Sequence, residues 1–139
     1  MNTLVRLYTC QKRKMYKFYN PNPKNKFVGD CVIRAIAKLE DLDWDTTYLK
    51  ICFYGFREKN MPAINEVWRA FLLDNGYKRF SIPNTCPDCY TVKDFCRENQ
   101  KGKYLLATGE HVVAVVDGDY YDAWNSGDEV PIYYWKKEV

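Results

Sequence analysis

The run of residues 111–125 constrains the fold of this chain more than any other segment, because it specifies a β-hairpin with a defined register. Asp117 and Gly118 suit the two central positions of a type I′ turn, where both residues need positive φ. Apolar residues precede this turn and aromatic residues follow it, which is typical of two paired strands. A two-residue loop here pairs Val116 with Asp119 and thereby fixes every pair further from the turn.

The register places the only histidine of the chain close to a carboxylate. Side chains alternate between the two faces of a strand, so His111 shares a face with Asp122 and Trp124. Asp122 is the diagonal neighbour of His111, about 7–8 Å away between backbones. Asn125 falls on the opposite face unless a bulge intervenes. Because His111 alone has an ordinary pKa near neutral pH, we expect it to take part in any acid/base chemistry. The structural alternative is a core histidine at a strand end, with a carboxylate nearby by chance.

Length and charge indicate one domain, residues 1–139, with a basic N-terminal part. Seven of the 21 basic residues precede the first acidic residue, Asp30, so the remaining 14 stand against 18 acidic residues. Residues 1–28 are therefore a basic, aromatic leader or edge segment. Such a leader could contact nucleic acid or an acidic partner, but it also suits a solvated edge strand, and no recognised nucleic-acid motif accompanies the charge.

The sequence predicts a cytoplasmic protein with no membrane contact. No apolar stretch approaches the roughly 18 residues that cross a bilayer, and basic residues follow rather than precede the short apolar run at residues 4–7. In a reducing compartment, cysteines are expected to be thiols rather than disulfides. The chain has six of them, Cys10, Cys31, Cys52, Cys86, Cys89 and Cys96.

Hydrophobic periodicity predicts helices first and strands afterwards. Helices are predicted from Asp30 or Cys31, from Trp44 to about Arg57, from Met61-Pro62 to Gly76, and from Val92 to about Asn99. Strands are predicted at residues 104–108, 111–116, 119–124 and 132–135. This order indicates an α+β domain with a mainly helical part at 30–99 and an antiparallel sheet at 103–136.

Side-chain positions on these helices are also predicted. Asp43 and Thr91 suit N-cap positions, and Asp94 completes a capping box with Thr91. The first helix has one strongly apolar stripe and is expected to be the central buried helix. The second helix is expected to turn four residues inward, namely Leu49, Cys52, Phe53 and Phe56.

Cys31 follows Gly29 and lies in the first turn of the central helix. Unpaired backbone N–H groups and the positive end of the helix dipole lower the pKa of a cysteine at such a position. The same N–H groups can hold the oxyanion of a tetrahedral intermediate. Asp30 opposes thiolate formation unless its carboxylate turns away to cap the helix. A plain core cysteine is the alternative, because Cys31 also lies on the apolar stripe.

A cysteine at a helix start, followed by a histidine on one strand and a carboxylate or amide on the next, resembles the papain-like cysteine proteases. The matching motifs are Gly29-Asp-Cys31, Gly109-Glu-His111 and Tyr120-Tyr-Asp122-Ala-Trp-Asn125-Ser, within about residues 25–135. The chain is also similar to small stand-alone papain-like proteins of phage and bacterial mobile genomes. The resemblance implies a fold in which a central N-terminal helix carries the nucleophile and packs on a C-terminal antiparallel sheet.

The resemblance also implies a thiol-dependent hydrolase of peptide or isopeptide bonds that forms an acyl-enzyme and needs no cofactor. Cys31 would be the nucleophile and His111 the general base. Asp122 would orient the imidazole, with Asn125 as the alternative third member if a bulge changes the register. Asn25 stands where the family has a second oxyanion donor, beside the backbone N–H of Cys31. Acyl transfer of the transglutaminase type stays open, because those folds use the same residue order.

Two functions of other classes compete with this interpretation. The first is a non-catalytic papain-like scaffold that docks a host partner or nucleic acid through the basic leader. The second is a zinc-stapled interaction module, in which Cys86 and Cys89 form half a zinc site and Cys96 supplies a third thiolate. Under the leading interpretation, the partner is a peptide or protein substrate.

Overall fold

The computed structural model describes residues 15–138, which fold into four helices and one mixed sheet of six strands. The helices are α1 (Cys31–Glu40), α2 (Trp44–Glu58), α3 (Asn65–Asp74) and α4 (Val92–Glu98). The strands are β1 (Tyr16–Phe18), β2 (Tyr77–Ser81), β3 (Lys103–Ala107), β4 (Val112–Val116), β5 (Asp119–Asp122) and β6 (Tyr133–Lys137). The predicted α+β class is confirmed. Within residues 15–138, no helix has the length and apolar character that crossing a membrane requires.

The sheet differs from the predicted one at both of its edges. Its strand order is β1-β5-β4-β3-β6-β2, and every pair is antiparallel except β1 with β5, which run parallel. The four strands predicted at 103–136 pair antiparallel with one another, but the whole sheet is mixed and larger, because the leader supplies β1 and the segment after α3 supplies β2. Both are edge strands, with short or charged sequences that carry little apolar alternation.

The predicted hairpin register is confirmed. Asp117 and Gly118 have φ values of 50° and 82°, as a type I′ turn requires. Val116 pairs with Asp119 across the turn, and the pairing continues without a bulge to Ala114 and Tyr121. Strand β4 begins one residue after His111, so the imidazole is carried at the mouth of the hairpin.

Helices cover both faces of the sheet. Helices α1, α2 and α3 bury one hydrophobic cluster against β3, β4 and β6, and α4 buries a second cluster on the opposite face. Helix α1 contacts three of the strands and α2, and its residues Ala35, Ile36 and Leu39 are almost fully buried. The expectation of a central buried helix that begins at Cys31 is thus confirmed.

Helix α2 packs through a different face from the predicted one. Its buried residues are Thr47, Ile51 and Gly55, which recur at intervals of four. A Cβ atom on Gly55 would lie 2.8 Å from the backbone oxygen of Asn60, because the turn after α2 folds back against the helix at this residue. The residues expected inside lie elsewhere: Cys52 is half-buried, while Leu49, Phe53 and Phe56 are 67%, 59% and 71% exposed.

Helix ends follow the predicted signals with one exception. The Asp43 carboxylate accepts a hydrogen bond from the N–H of Thr46 at 2.7 Å, and Thr91 forms the predicted capping box with Asp94. Helix α3 begins at Asn65 rather than at Met61-Pro62, which lie in the preceding turn. The two side-chain caps satisfy N–H groups in the first turns of α2 and α4.

Gly127 lies where the segment after β5 passes closest to the core. A Cβ atom here would collide with the hydroxyl of the fully buried Tyr120 and lie 2.7 Å from Cε of Lys93. We therefore expect Gly127→Ala to lower the free energy of unfolding by about 1–3 kcal/mol in urea titrations. Gly29→Ala is the matched control, because its Cβ meets nothing within 4 Å. Equal stability of the two variants would contradict this account.

Candidate active site

Cys31 is the first residue of α1 and is half-buried. The first N–H groups of a helix have no partner within the helix. Asp30 occupies the N-cap position, but its carboxylate makes no capping hydrogen bond. No side-chain cap therefore occupies the N–H groups in the first turn of α1. These N–H groups lie at the same end of the helix as the Cys31 thiol. The Asp30 carboxylate is turned away from the helix start and bonds Arg34 and Trp44 instead.

The Cys31 thiol interacts with His111 and with the backbone N–H of Val112, the first residue of β4. Burial raises the pKa of the thiol. Hydrogen bonding from the His111 side chain and from the Val112 N–H, together with the positive charges of His111 and Arg34, outweighs burial and lowers that pKa below its ordinary value. The sheet end and the helix start thus jointly favour a thiolate.

His111 bonds to the predicted carboxylate. Its Nε2 lies 2.6 Å from Oδ2 of Asp122, so Nδ1 is the ring nitrogen left to face Cys31. Burial lowers the pKa of His111, but the hydrogen bonds and negative charges of Asp122 and Cys31 outweigh it and raise the pKa to about 9. The imidazole is therefore protonated at neutral pH, rather than titrating there as its ordinary value implies. The lowered pKa of the thiol and the raised pKa of the imidazole both favour a thiolate–imidazolium pair.

Asp122 is fully buried and accepts hydrogen bonds on both carboxylate oxygens. Oδ2 accepts from His111 and from the Ser126 hydroxyl, each at 2.6 Å. Oδ1 accepts from the backbone N–H of Ala123 at 2.8 Å and from Arg34, whose Nε and Nη2 lie at 3.1 and 3.0 Å. Burial raises the pKa of Asp122, but hydrogen bonds from His111 and Ser126 and the nearby positive charges lower it overall. The carboxylate is therefore ionised within the protein interior.

Asn125, the alternative third member, does not contact His111. Its Oδ1 accepts hydrogen bonds from the Tyr120 hydroxyl and from the N–H of Gly127, the latter at 3.1 Å. Strand β5 ends at Asp122, so Asn125 lies in the segment beyond the strand, where these two hydrogen bonds hold it away from His111. The ring of Trp124 packs 5.0 Å from the His111 ring and covers one side of it, although Trp124 itself remains 47% exposed.

Two cavities meet at Cys31. The larger has a volume of about 470 Å³ and a mainly apolar lining that includes the stacked rings of Trp44 and Tyr48. The smaller has a volume of about 110 Å³ and contains the His111 side of the site. Four residues line both cavities, namely Cys31, Val32, Ala63 and Glu110. A group bound across Cys31 would therefore extend into both spaces.

Asn25 is placed apart from this junction. It is exposed, has a φ of 54°, and uses its backbone N–H to bond the carbonyl of Asn22 at 2.9 Å. Asn25 lines neither of the two cavities that meet at Cys31. The hydrogen-bond donors that the start of α1 offers beside the Cys31 thiol are backbone N–H groups.

Arg34, Ser126 and Trp44 belong to the site but were not predicted from the sequence. Arg34 Nη1 lies 2.6 Å from Oδ1 of Asp30, and Trp44 Nε1 donates to Oδ2 of the same carboxylate at 2.9 Å. The usable signal for Arg34 is its place one turn after Cys31, among the apolar residues of the first two turns, because a charge buried there needs a partner. Ser126 gave no comparable signal, since a serine after a hairpin is common in turns.

The predicted alternative zinc site is wrong. Cys86 and Cys89 are joined by a disulfide across a turn that brings their Cα atoms to 4.3 Å, so they are not thiols as expected. Cys96 is buried in the hydrophobic cluster beneath α4. Within residues 15–138, no three or more histidine, cysteine, aspartate or glutamate side chains are grouped to hold a metal ion. Cys31 and Cys52 are thiols as predicted, and Cys10 lies outside the described residues.

The basic leader is described only from residue 15 onward. Lys17, Lys24 and Lys26 are exposed, and β1 is a sheet edge, which agrees with the solvated edge-strand alternative. The other four basic residues of the leader lie outside the described residues, so the prediction of a nucleic-acid contact stays a prediction.

The described part of the site combines a thiol with a lowered pKa, an imidazole with a raised one and a buried carboxylate. This arrangement can attack a carbonyl carbon, donate a proton to the departing group and hold an oxyanion on backbone N–H groups. No protein-family model, curated protein or solved structure matches the chain.

Proposed function

We propose that this protein is a thiol-dependent amide hydrolase of the papain-like kind, which cleaves peptide or isopeptide bonds through an acyl-enzyme on Cys31. One observation carries the proposal: Cys31, His111 and Asp122 form a continuous line of interactions in which the thiol pKa is lowered and the imidazole pKa is raised. Neighbouring titratable groups with oppositely shifted pKa values beside a cavity are typical of functional sites.

The proposed reaction begins with attack of the Cys31 thiolate on the carbonyl carbon, which forms a C–S bond and places the negative charge on the carbonyl oxygen. Backbone N–H groups at the start of α1 hold that oxyanion. His111 then gives its proton to the amine nitrogen as the C–N bond breaks, and the amine departs. In the second half, neutral His111 takes a proton from water, hydroxide attacks the thioester, and the acid and the thiolate are released.

The two cavities indicate which side of the substrate is bulky. The leaving amine must lie beside the group that protonates it, so it is on the His111 side, where the cavity is about 110 Å³. The acyl part then extends into the cavity of about 470 Å³, along Trp44 and Tyr48. This favours substrates with a large apolar group on the acyl side. Acyl transfer uses the same thioester, with a second amine in place of water.

The pH profile of amide hydrolysis tests this proposal. Below the lowered pKa of Cys31 the thiolate is lost, and above about pH 9 His111 loses the proton that the leaving amine needs. Hydrolysis of a fluorogenic peptide amide is therefore expected to be constant between these limits and to fall on both sides. Alkylation of Cys31 by iodoacetamide needs only the thiolate and should continue above pH 9.

Variants identify the nucleophile in the same assay. Cys31→Ala is expected to abolish hydrolysis, and Asn125→Ala should retain it because Asn125 does not contact His111. Cys52 is an internal comparison for alkylation, since it is also half-buried and lines the larger cavity but has no imidazole beside it. If Cys31 is alkylated no faster than Cys52 at pH 6–7, the proposed function is wrong.

A further inference from the structure

We propose that Arg34 is a positioning residue of this site, which holds Asp122 in the orientation that His111 needs and ties the catalytic hairpin to the helix that carries Cys31. The inference rests on the proposed function. It adds a role that the order of cysteine, histidine and aspartate in the sequence does not contain, because Arg34 would act through Asp122 and touches neither the substrate nor the thiol.

The first argument is that the two carboxylate oxygens of Asp122 accept hydrogen bonds from different partners. Oδ1 accepts only donors that fix the carboxylate in place, namely Arg34 and the backbone N–H of Ala123. Oδ2 accepts from His111 and from Ser126. Because a carboxylate is planar, a guanidinium fork that fixes Oδ1 also fixes the direction in which Oδ2 faces the imidazole. The orientation of the His111 ring thus depends on the hydrogen bonds between Arg34 and Asp122.

The second argument is the link between two parts of the fold. Arg34 lies one turn after Cys31 on α1, while Asp122 is the last residue of β5. Its remaining nitrogen, Nη1, bonds Asp30 immediately before Cys31. The guanidinium therefore joins both ends of the first turn of α1 to the hairpin, and it limits changes in the separation of thiol and imidazole. Small displacements of this kind cost catalysis up to about 10²-fold.

The third argument is charge. Arg34 is only 5% exposed, and its carboxylate partners Asp30 and Asp122 are buried too. The other titratable groups at Asp122 are His111, with Cys31 beyond it, and Tyr16 of β1, whose hydroxyl donates to the Asp122 backbone oxygen. Without Arg34, the buried carboxylates of Asp30 and Asp122 would lose the cation that both of them bond. Its positive charge therefore sets how strongly Asp122 holds the His111 proton.

The same network reaches the wall of the larger cavity. Trp44 lines that cavity and donates its indole N–H to Asp30, the second partner of Arg34. The cavity wall, the helix start and the base are thus held by one buried set of hydrogen bonds. Within this set, Arg34 bonds both carboxylates, those of Asp30 and Asp122.

Two substitutions separate the geometric role of Arg34 from its charge. Arg34→Lys keeps the charge but has no planar fork, so kcat for amide hydrolysis is expected to fall roughly 10- to 100-fold. KM and both limbs of the pH profile should stay near those of the wild type. Arg34→Met also removes the charge, and both limbs should then move to higher pH, because a nearby cation favours the thiolate and disfavours the imidazolium.

The control is Arg57→Lys, a change in an exposed arginine that pairs with Asp74 far from the thiol. If Arg34→Met fails to fold, Arg34→Lys still tests the inference, because it is expected to lower kcat while KM stays unchanged. A kcat for Arg34→Lys equal to that of Arg57→Lys would overturn the inference while the proposed function stands. Failure of the proposed function is recognised separately, by wild-type Cys31 reacting no faster than Cys52.

Discussion

Replacement of His111 by alanine is expected to slow the alkylation of Cys31 at pH 6 by roughly 10²-fold, because a thiol with an ordinary pKa is almost entirely protonated there. In the wild-type protein, His111 offsets the burial of the thiol through a hydrogen bond and a positive charge. Without the imidazole, only the N–H of Val112 and the charge of Arg34 are left to offset the effect of burial on the pKa of Cys31. The pKa of Cys31 should therefore rise.

The measurement is the second-order rate of iodoacetamide labelling between pH 5 and 10, with the modified cysteine identified by mass spectrometry. Labelling of Cys52 in the same molecules reports any general opening of the structure, and its rate is expected to be the same in both proteins. At pH 10 the two proteins should converge for Cys31 as well. An unchanged rate at pH 6 for Cys31 in His111→Ala would show that the two side chains are not coupled.

Substitutions of Asp122 are expected to lower both the stability of the protein and the rate of amide hydrolysis. Asp122→Ala leaves the Arg34 guanidinium buried without one of its two partners, and removal of one member of a buried ion pair typically costs about 3–5 kcal/mol of unfolding free energy. Asp122→Asn preserves the shape of the side chain but removes the charge that stabilises the imidazolium. Amide hydrolysis should fall on the order of 10²–10⁴-fold in the asparagine variant.

Urea denaturation and steady-state kinetics together check this pair of expectations. In Asp122→Asn, the basic limb of the pH profile should move below pH 9, because Asp122 raises the pKa of His111. Asn125→Ala is the matched control, since it changes a polar side chain of the same segment that bonds Tyr120 instead. Equal activity of Asp122→Asn and Asn125→Ala would mean that neither residue orients the imidazole.

The part of the site that the sequence predicts is the part made by local contacts. His111 and Asp122 are 11 residues apart, and the chemistry of the Asp117-Gly118 turn fixes which residues of the hairpin face each other. Turn type depends on backbone preferences of two neighbouring residues, so it can be inferred from one chain. The start of α1 at Cys31 followed in the same way from its apolar periodicity.

Contacts between distant segments were not predictable by these means. Arg34 and Asp122 are 88 residues apart, and the Tyr16 hydroxyl reaches the Asp122 backbone across 106 residues. Edge strands such as β1 carry too little alternation to reveal their neighbour. Hydrophobicity alone selects the phenylalanines for the inward face of α2, whereas the buried residues are Thr47, Ile51 and Gly55, the last of them because the following turn folds back against it.

The parallel pairing of β1 with β5 has a consequence for the order of events during synthesis. Cys31 leaves the ribosome long before His111 and Asp122 exist, and β1 has no strand to pair with until β5 is made. Until then, the cysteine has neither its imidazole nor the carboxylate behind it, and it behaves as an ordinary thiol. If Cys31 is the nucleophile as proposed, it therefore becomes reactive only after the hairpin of β4 and β5 has formed.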